Sequence, residues 1–526
     1  MANLLSTNFA GGVFEKAVTT TTTEAVTTTP IIGTPVGSPS SNGQQTHAST
    51  YTTSGKYVIA YQDTSDPNSQ YGKGKAVVVT GAGTDVTYGT IVTVDSSNDF
   101  GSGCGLGYDQ TNDKVLIAYG TDNNHGHNMI VATVTGTSLT FGSAVGFDSG
   151  STPEDGAVRP QSIVWDDQND RLVMAYEDDD RDGAARIVTI SGTVPTAHTV
   201  AEFTSGRAVD ICMTYVGGGQ VVVAWVAASG GALYMRPGTI TGGGTNTITW
   251  GVTSISLGNV AGTPNKITIA YDEQNDKVVL FAVISSANTR GRYIAGTVTG
   301  TGASAAITFS GGVEFETDGS CITLSAIYHA AAQKILVTYR TTANSGNLTG
   351  ILATYQQDIG SQVIYTFGSP FQLYASSTGA RAVATSYDSD NKKILIDDES
   401  NDQVGIVDLL DSTLTLDLST GSYFTADLQS GGTSSIRNIV TSNVNAVAPK
   451  TLTFNLKIIQ GSYPRQFLWS GSALTKFKWQ KYWLPGTGWV HRPTTSTAND
   501  AVDVYSFTTY DNGTTWYSSI VSQDIK

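Results

Sequence analysis

Tyr108-Asp-Gln-Thr-Asn-Asp-Lys-Val-Leu-Ile-Ala-Tyr119 returns as Trp165-Asp-Asp-Gln-Asn-Asp-Arg-Leu-Val-Met-Ala-Tyr176 and again as Tyr271-Asp-Glu-Gln-Asn-Asp-Lys-Val-Val-Leu-Phe-Ala282. Each copy is a polar turn between two strand-like runs. The second run closes in the same phase at Tyr61, Tyr119, Tyr176, Trp225, Ala282, Tyr339 and Asp398, at intervals of 49 to 59 residues. A repeat of that length, made of strands only, is the sequence mark of propeller blades.

The copy over 102–150 gives the parts of one blade. A first strand ends at Gly107-Tyr108, the turn Asp109 to Lys114 follows, and Val115–Tyr119 is the second strand. The polar loop Gly120 to His127 leads to a third strand over Met129–Val134, and the turn at Thr135-Gly136-Thr137 to a fourth over Leu139–Val145. Four strands joined by short turns make one antiparallel blade. The fourth strand recurs around Tyr88-Gly, Trp250-Gly, Phe309-Ser-Gly and Phe367-Gly, where an aromatic followed by Gly marks a bulge in the outer strand. The seventh copy, Ala382 to Leu410, lacks a fourth strand, and Pro30-Ile-Ile-Gly-Thr-Pro-Val36 supplies that pattern at the other end of the chain. The expected fold is therefore all-β: a seven-bladed β-propeller over 29–411, with 30–36 closing the last blade, preceded by an arm or linker over 1–28. A small antiparallel, sandwich-like β domain over 412–526 follows it.

The chain has 526 residues, too many for one core, and a net charge of −15, which disfavours a phosphate-neutralising surface and so nucleic acid. Cys104, Cys212 and Cys321 each lie in or beside an apolar stretch that opens a repeat and read as buried reduced thiols acting as small hydrophobes, which suits a reducing cytoplasm. The first residues carry neither a basic nor a long apolar segment of a secretory signal, and no apolar run reaches membrane-spanning length, so no membrane insertion is expected.

The stretch Leu416-Asp-Leu-Ser-Thr-Gly-Ser-Tyr-Phe424, the Trp-rich Lys478-Trp-Gln-Lys-Tyr-Trp-Leu-Pro-Gly486 and the closing hairpin Val502-Asp-Val-Tyr-Ser-Phe-Thr-Thr-Tyr-Asp-Asn-Gly-Thr-Thr-Trp-Tyr517 resemble the C-terminal domain of tail-fibre and other structural proteins of marine tailed bacteriophages, of the cyanophage and pelagiphage kind. The propeller repeat also resembles those of such phages, while Gly488-Trp-Val-His-Arg492 departs from the pattern. The resemblance implies a virion component, a tail fibre or tail-associated protein made in the host cytoplasm. Its expected partners are other tail proteins, a host-surface glycan or protein, and further copies of itself. Two alternatives stand beside this reading: a polysaccharide-degrading tailspike using paired carboxylates, and a capsid-decorating structural protein.

No catalytic, cofactor or metal motif rises above turn chemistry. Thr509-Tyr-Asp-Asn-Gly-Thr-Thr-Trp516 matches the Asp-box of sialidases once, outside the propeller, and Asp511 capping its own turn explains it. Glu177-Asp-Asp-Asp-Arg-Asp-Gly183 offers oxygen ligands for Ca²⁺ but lacks EF-hand spacing. The longest polar connections join second to third strands and carry Tyr71, His125, His127, Arg181 and Arg292, side chains suited to stacking on sugars or pairing with anions. These are the candidate recognition residues, expected together on one rim.

Overall fold

The computed structural model describes residues 18–19, 22–37, 44–53, 55–63, 72–82, 85–121, 126–148, 162–178, 180–243, 246–259, 267–284, 290–309, 312–316, 321–341, 346–360, 362–375, 383–398, 403–417, 423–427, 436–442, 452–459, 477–479, 482–484, 488–490, 502–510 and 515–525. The chain is all-β apart from one short 3-10 turn at Gly302–Ser304 among these residues. No helix among them is long and apolar enough to cross a membrane. The chain divides into two compact units, one formed by Ile32–Val407 and the other by Met1–Ile31 with Asp408–Lys526.

Within Ile32–Val407 every sequence copy is an antiparallel meander. In the second copy Phe100–Asp109 pairs with Lys114–Thr121, which pairs with His127–Thr135. Ser138–Phe141 then pairs with the far half of that third strand and Val145–Asp148 with its near half. The single fourth strand expected over Leu139–Val145 is thus two pieces, broken at Phe141-Gly142. Between the third and fourth copies the outer piece and the next first strand are continuous, as Ala201–Tyr215.

The break has a steric cause. A Cβ on Gly89, Gly142 or Gly251 would lie 1.9, 2.3 or 2.2 Å from the carbonyl oxygen of Thr137, Thr193 or Ala305, each in the outer hairpin of the following copy. Glycine at the corner lets the neighbouring hairpin touch backbone to backbone, and Val252 N donates to Ala305 O at 2.7 Å across that contact. Gly89→Ala therefore costs about 2 kcal/mol by forced overpacking. Gly136→Ala, with φ +62 but open space around it, costs about 1 kcal/mol of backbone strain only. Denaturant melts of the two variants give the comparison.

The turns between first and second strands repeat one construction. The buried carboxylate of Asp109 accepts the Asn112 N–H and Nδ2 at 2.9 and 2.9 Å, and Asp388 accepts those of Asn391 at 2.8 and 2.8 Å. Asp166 and Asp272 do the same with Asn169 and Asn275. The residue after each Asn turns left-handed, with φ 52 to 55° at Asp113, Asp170, Asp276 and Lys392, a conformation Asp and Asn tolerate well. These turns also reach across copies: Tyr365 Oη donates to Asp272 at 2.7 Å, and Thr111 Oγ1 to Asp170 at 2.9 Å. Burial, and then the Asp272 carboxylate, push the Tyr365 hydroxyl far above the usual tyrosine range. Asp272→Ala leaves two turn donors and a buried hydroxyl without an acceptor, and a loss of about 3 kcal/mol is expected in equilibrium unfolding.

The opposite joints are aromatic. Phe100 stacks on Tyr119 with centroids 4.4 Å apart, Phe147 meets Tyr176 edge-on at 5.2 Å, and Phe203 and Phe315 pack on Trp225 and Tyr339 at 5.0 and 5.7 Å. Each pair joins the connection leaving one copy to the closing aromatic of the next, contributing about 1 kcal/mol beyond area burial. The closing position of the seventh copy holds Asp398 instead, fully buried and ion-paired with the equally buried Arg340 of the sixth. Cys104, Cys212 and Cys321 are buried, with no disulfide between them.

The first strands pack side by side in chain order, from Gln44–Tyr51 through Phe100–Asp109, Ile163–Asp166, Ala201–Tyr215, Ile267–Asp272 and Cys321–His329 to Val383–Asp388. The last packs on the first, where Ser49 and Ser386 hydroxyls are 2.6 Å apart and Tyr51 Oη donates to Asp390 at 2.7 Å. The early segment lies on the last copy: Gly33 N donates to Ile406 O at 2.9 Å, and Val36 and Gly37 pair with Val404 and Gln403. Deleting residues 1–40 removes this ladder and should lower stability by about 3 kcal/mol, at roughly 1 kcal/mol per hydrogen bond. A truncated protein that melts with the intact one would contradict the pairing's role.

The other unit corrects the expectation of a purely antiparallel domain. Its sheet runs Val18–Thr19, Tyr423–Asp427, Leu452–Ile459, Val502–Thr509, Trp516–Ile525, Phe477–Trp479, and the first two contacts and the last are parallel. Parallel neighbours need a crossover of a dozen residues or more, and the segments between these strands are that long. Val18–Thr19, read in sequence as part of a separate arm, is a strand of this sheet. Its core stacks Phe454 on Phe507 at 4.8 Å and edge-on to Trp516 at 4.9 Å, with Leu456 and Ile458 buried beside them.

Candidate functional site

At the end of each meander opposite the Asp turns, the second strand hands over to the third and the split outer strand comes back alongside. That geometry places the first residues of the third strand beside the connection to the next copy, and charged side chains meet there. Lys73 Nζ lies 2.7 Å from Asp99, and Arg207 Nε lies 3.0 Å from the buried Glu177. Arg290 and Arg292 hold the two oxygens of Glu314 at 2.7 and 2.8 Å. Lys73, Arg290 and Arg292 tie the start of a third strand to the connection that follows it, whereas Glu177 ends the second strand Arg171–Glu177 and takes its arginine from that connection.

The Glu314 carboxyl is held below the usual carboxylate range by the hydrogen bonds from Arg290 and Arg292. Asp95, in the connection after the first copy, is also held low: burial opposes this, but donors from Asn98, the Tyr119 hydroxyl and the Ser97 backbone outweigh it. The Tyr119 hydroxyl, 2.7 Å from Asp95, is driven well above its ordinary range by burial and by that carboxylate.

The sequence candidates fare differently. Tyr71 and His125 lie outside the described residues. His127 is not a loop residue, as its polar surroundings suggested. It begins the third strand, buried opposite Gly120 and Asp148, with its ring 5.5 Å from that of Phe147 and 5.7 Å from that of Tyr176. It packs the joint and does not face solvent. Arg181 is half-exposed in a tight left-handed turn, φ 69°, its N–H bonded to Asp178 O at 3.0 Å. Arg292 is half-exposed in the third strand and bound to Glu314. The acidic loop over 177–183 is organised from within: Glu177 pairs with Arg207, and the Asp178 carboxylate accepts the Asp182 N–H at 2.8 Å. Among the described residues no three His, Cys, Asp or Glu side chains gather to hold a metal.

Two features escaped the sequence. Arg290 and Glu314 complete the Arg292 site, a pairing that depends on the outer strand returning at Val313-Glu314. Tyr510 and Tyr517 stand out from the closing hairpin, 59% and 53% exposed, with ring centroids 5.6 Å apart. The hairpin alternation Val502, Val504, Ser506, Thr508 on one face and Asp503, Tyr505, Phe507, Thr509 on the other was the signal that could have assigned Tyr517 outward.

Arg292→Ala leaves Glu314 with one arginine. The acid titration of Glu314, followed by carboxyl carbon NMR, should move up toward the ordinary range while thermal melting changes little, because both partners reach solvent.

No protein-family model matches the chain, and no curated protein matches it. Among solved structures it is similar to AofleA from Arthrobotrys oligospora, at 9% identity over 68% of this chain and 94% of that one, TM-score 0.36. It is similar to the NanB sialidase from Streptococcus pneumoniae, at 9% identity over 72% and 69%, TM-score 0.38. It is also similar to the Aleuria aurantia lectin, at 12% identity over 63% and 97%, TM-score 0.36. Likeness at these TM-scores transfers nothing to this chain.

Proposed function

We propose that the chain is a non-enzymatic structural component of a bacteriophage virion, tail-associated, acting in attachment to the host surface or in tail assembly. In this reading residues 29–411 form a seven-bladed propeller whose last blade is closed by residues 30–36, and the C-terminal unit is the contact module. The observation that carries the reading is the closing hairpin: the segment whose sequence resembles phage fibre domains pairs as Val502–Thr509 with Trp516–Ile525 around buried Phe507 and Trp516, and it turns Tyr510 and Tyr517 to solvent. Exposed, closely spaced tyrosines give large contact area at low conformational cost. On the other unit, Lys73, Arg207, Arg290 and Arg292 are committed to Asp99, Glu177 and Glu314, which favours a scaffold role there.

Immunogold labelling of intact particles with antibody to this chain tests the reading. Label on the tail is expected; label over the capsid, or release of polysaccharide from host cells by the purified protein, would replace it with a decorating protein or a tailspike enzyme. If the C-terminal unit is the contact, the full-length Tyr510→Ser/Tyr517→Ser variant should bind host cells or tail partners at least about tenfold more weakly, a loss of roughly 1.4 kcal/mol, with unchanged melting. Equal binding by the variant would move the contact elsewhere.

A further inference from the structure

The sixth copy departs from the turn construction of its neighbours at two positions together. Where Asp109, Asp166, Asp272 and Asp388 stand, it has His329, and where the partner Asn stands it has Ala332. The backbone is unchanged, since Gln333 keeps the left-handed φ of 52°. The ring does the work of both lost groups. His329 Nδ1 accepts the Ala332 N–H at 3.0 Å, as the carboxylates accept theirs, and Nε2 lies 2.9 Å from Lys392 O in the seventh copy. With Nδ1 accepting, the proton sits on Nε2 and donates to that carbonyl. The imidazole is fully buried, and Tyr387 of the seventh copy covers it at 4.7 Å between centroids.

We propose that His329 makes the joint between the sixth and seventh copies acid-sensitive. A proton on Nδ1 would set N–H against the Ala332 N–H and leave a cation in a closed site, so protonation must break the turn bond and release the joint. The joint concerned is the one beside the copy completed by residues 33–37.

The charged surroundings give the cation no relief. On the seventh copy Lys392 adds a second positive charge. Asp388 is engaged by Asn391, and Asp390 takes the Tyr51 hydroxyl. On its own turn Lys334 is also cationic. From the fifth copy Gln274 meets Gln333 at 3.4 Å, and the Glu273 carboxyl, raised by burial and by Asp167 and Asp272, bears on Tyr387. Burial lowers the imidazole from 6.5 to about 4; the hydrogen bond to the Lys392 carbonyl opposes this, and the smaller effect of the Lys392 charge acts with burial. The closed joint thus binds fewer protons than the opened one between those values. Opening becomes easier as pH falls from about 6.5 to about 4 and no easier below.

Hydrogen exchange at pH 7.5 and pH 5.0 on the full chain reads this directly. Peptides covering 163–177 of the third copy serve as the internal standard for the intrinsic pH effect. In the wild type, protection of 383–398 should fall on the order of 20-fold more than the standard between the two pH values. In His329→Asp/Ala332→Asn, which restores the sister turn, and in His329→Gln, which cannot titrate, the two segments should move together. An equal fall of both segments in the wild type, or the same excess in either variant, would overturn the proposal.

Discussion

A carboxylate removed from water must be given hydrogen-bond donors where it sits, and the larger unit is organised around that requirement. Asp109, Asp166, Asp272 and Asp388 are all but fully buried, and burying an unpaired charge is prohibitively costly. Each takes the backbone and amide N–H of an Asn three residues on, which fixes the turn and hence the register of the two strands it joins. Acceptor capacity remains, and neighbouring copies use it: Tyr365 reaches Asp272, and Tyr57 reaches Asp388 at 3.4 Å from the other end of the sequence. In these four copies one residue type shapes the turn, and at Asp272 and Asp388 it also ties the copy to its neighbour.

The two ends of the meanders divide the work. At the turn end, buried acceptors and glycine corners bring neighbouring copies together through hydrogen bonds and close backbone contact. At the other end, aromatic pairs fill the joints and ion pairs such as Lys73–Asp99 and Arg292–Glu314 sit at the margin. The Arg340–Asp398 pair shows the tolerance of the scheme: a charge replaces a closing aromatic when the adjoining copy supplies a buried guanidinium.

The period, the strand order within a copy and the polar turn between its first two strands were legible, because turn chemistry and alternation are local; that the buried Asp109 carboxylate organises such a turn was not. Ile31 to Val36 carried a strand pattern with nothing adjacent to pair with, and Val36 and Gly37 lie paired with Val404 and Gln403. Burial of His127 was not legible. Its sequence neighbours are polar, and the rings that enclose it, Phe147 and Tyr176, arrive later in the chain. The parallel contacts of Tyr423–Asp427 were hidden for a different reason, as alternation is the same in parallel and antiparallel strands. The role of His329 was not legible, because Lys392, whose carbonyl faces its ring, lies 63 residues on in the next copy.

Buried turn carboxylates hold one copy to the next, including the last to the first, where Tyr57 reaches Asp388. A double-mutant cycle on Tyr57→Phe and Asp388→Asn, two residues 331 positions apart in sequence, tests it by equilibrium unfolding. The account predicts a coupling of about 1 kcal/mol; strictly additive effects would mean that the last copy and the first are held together by something else.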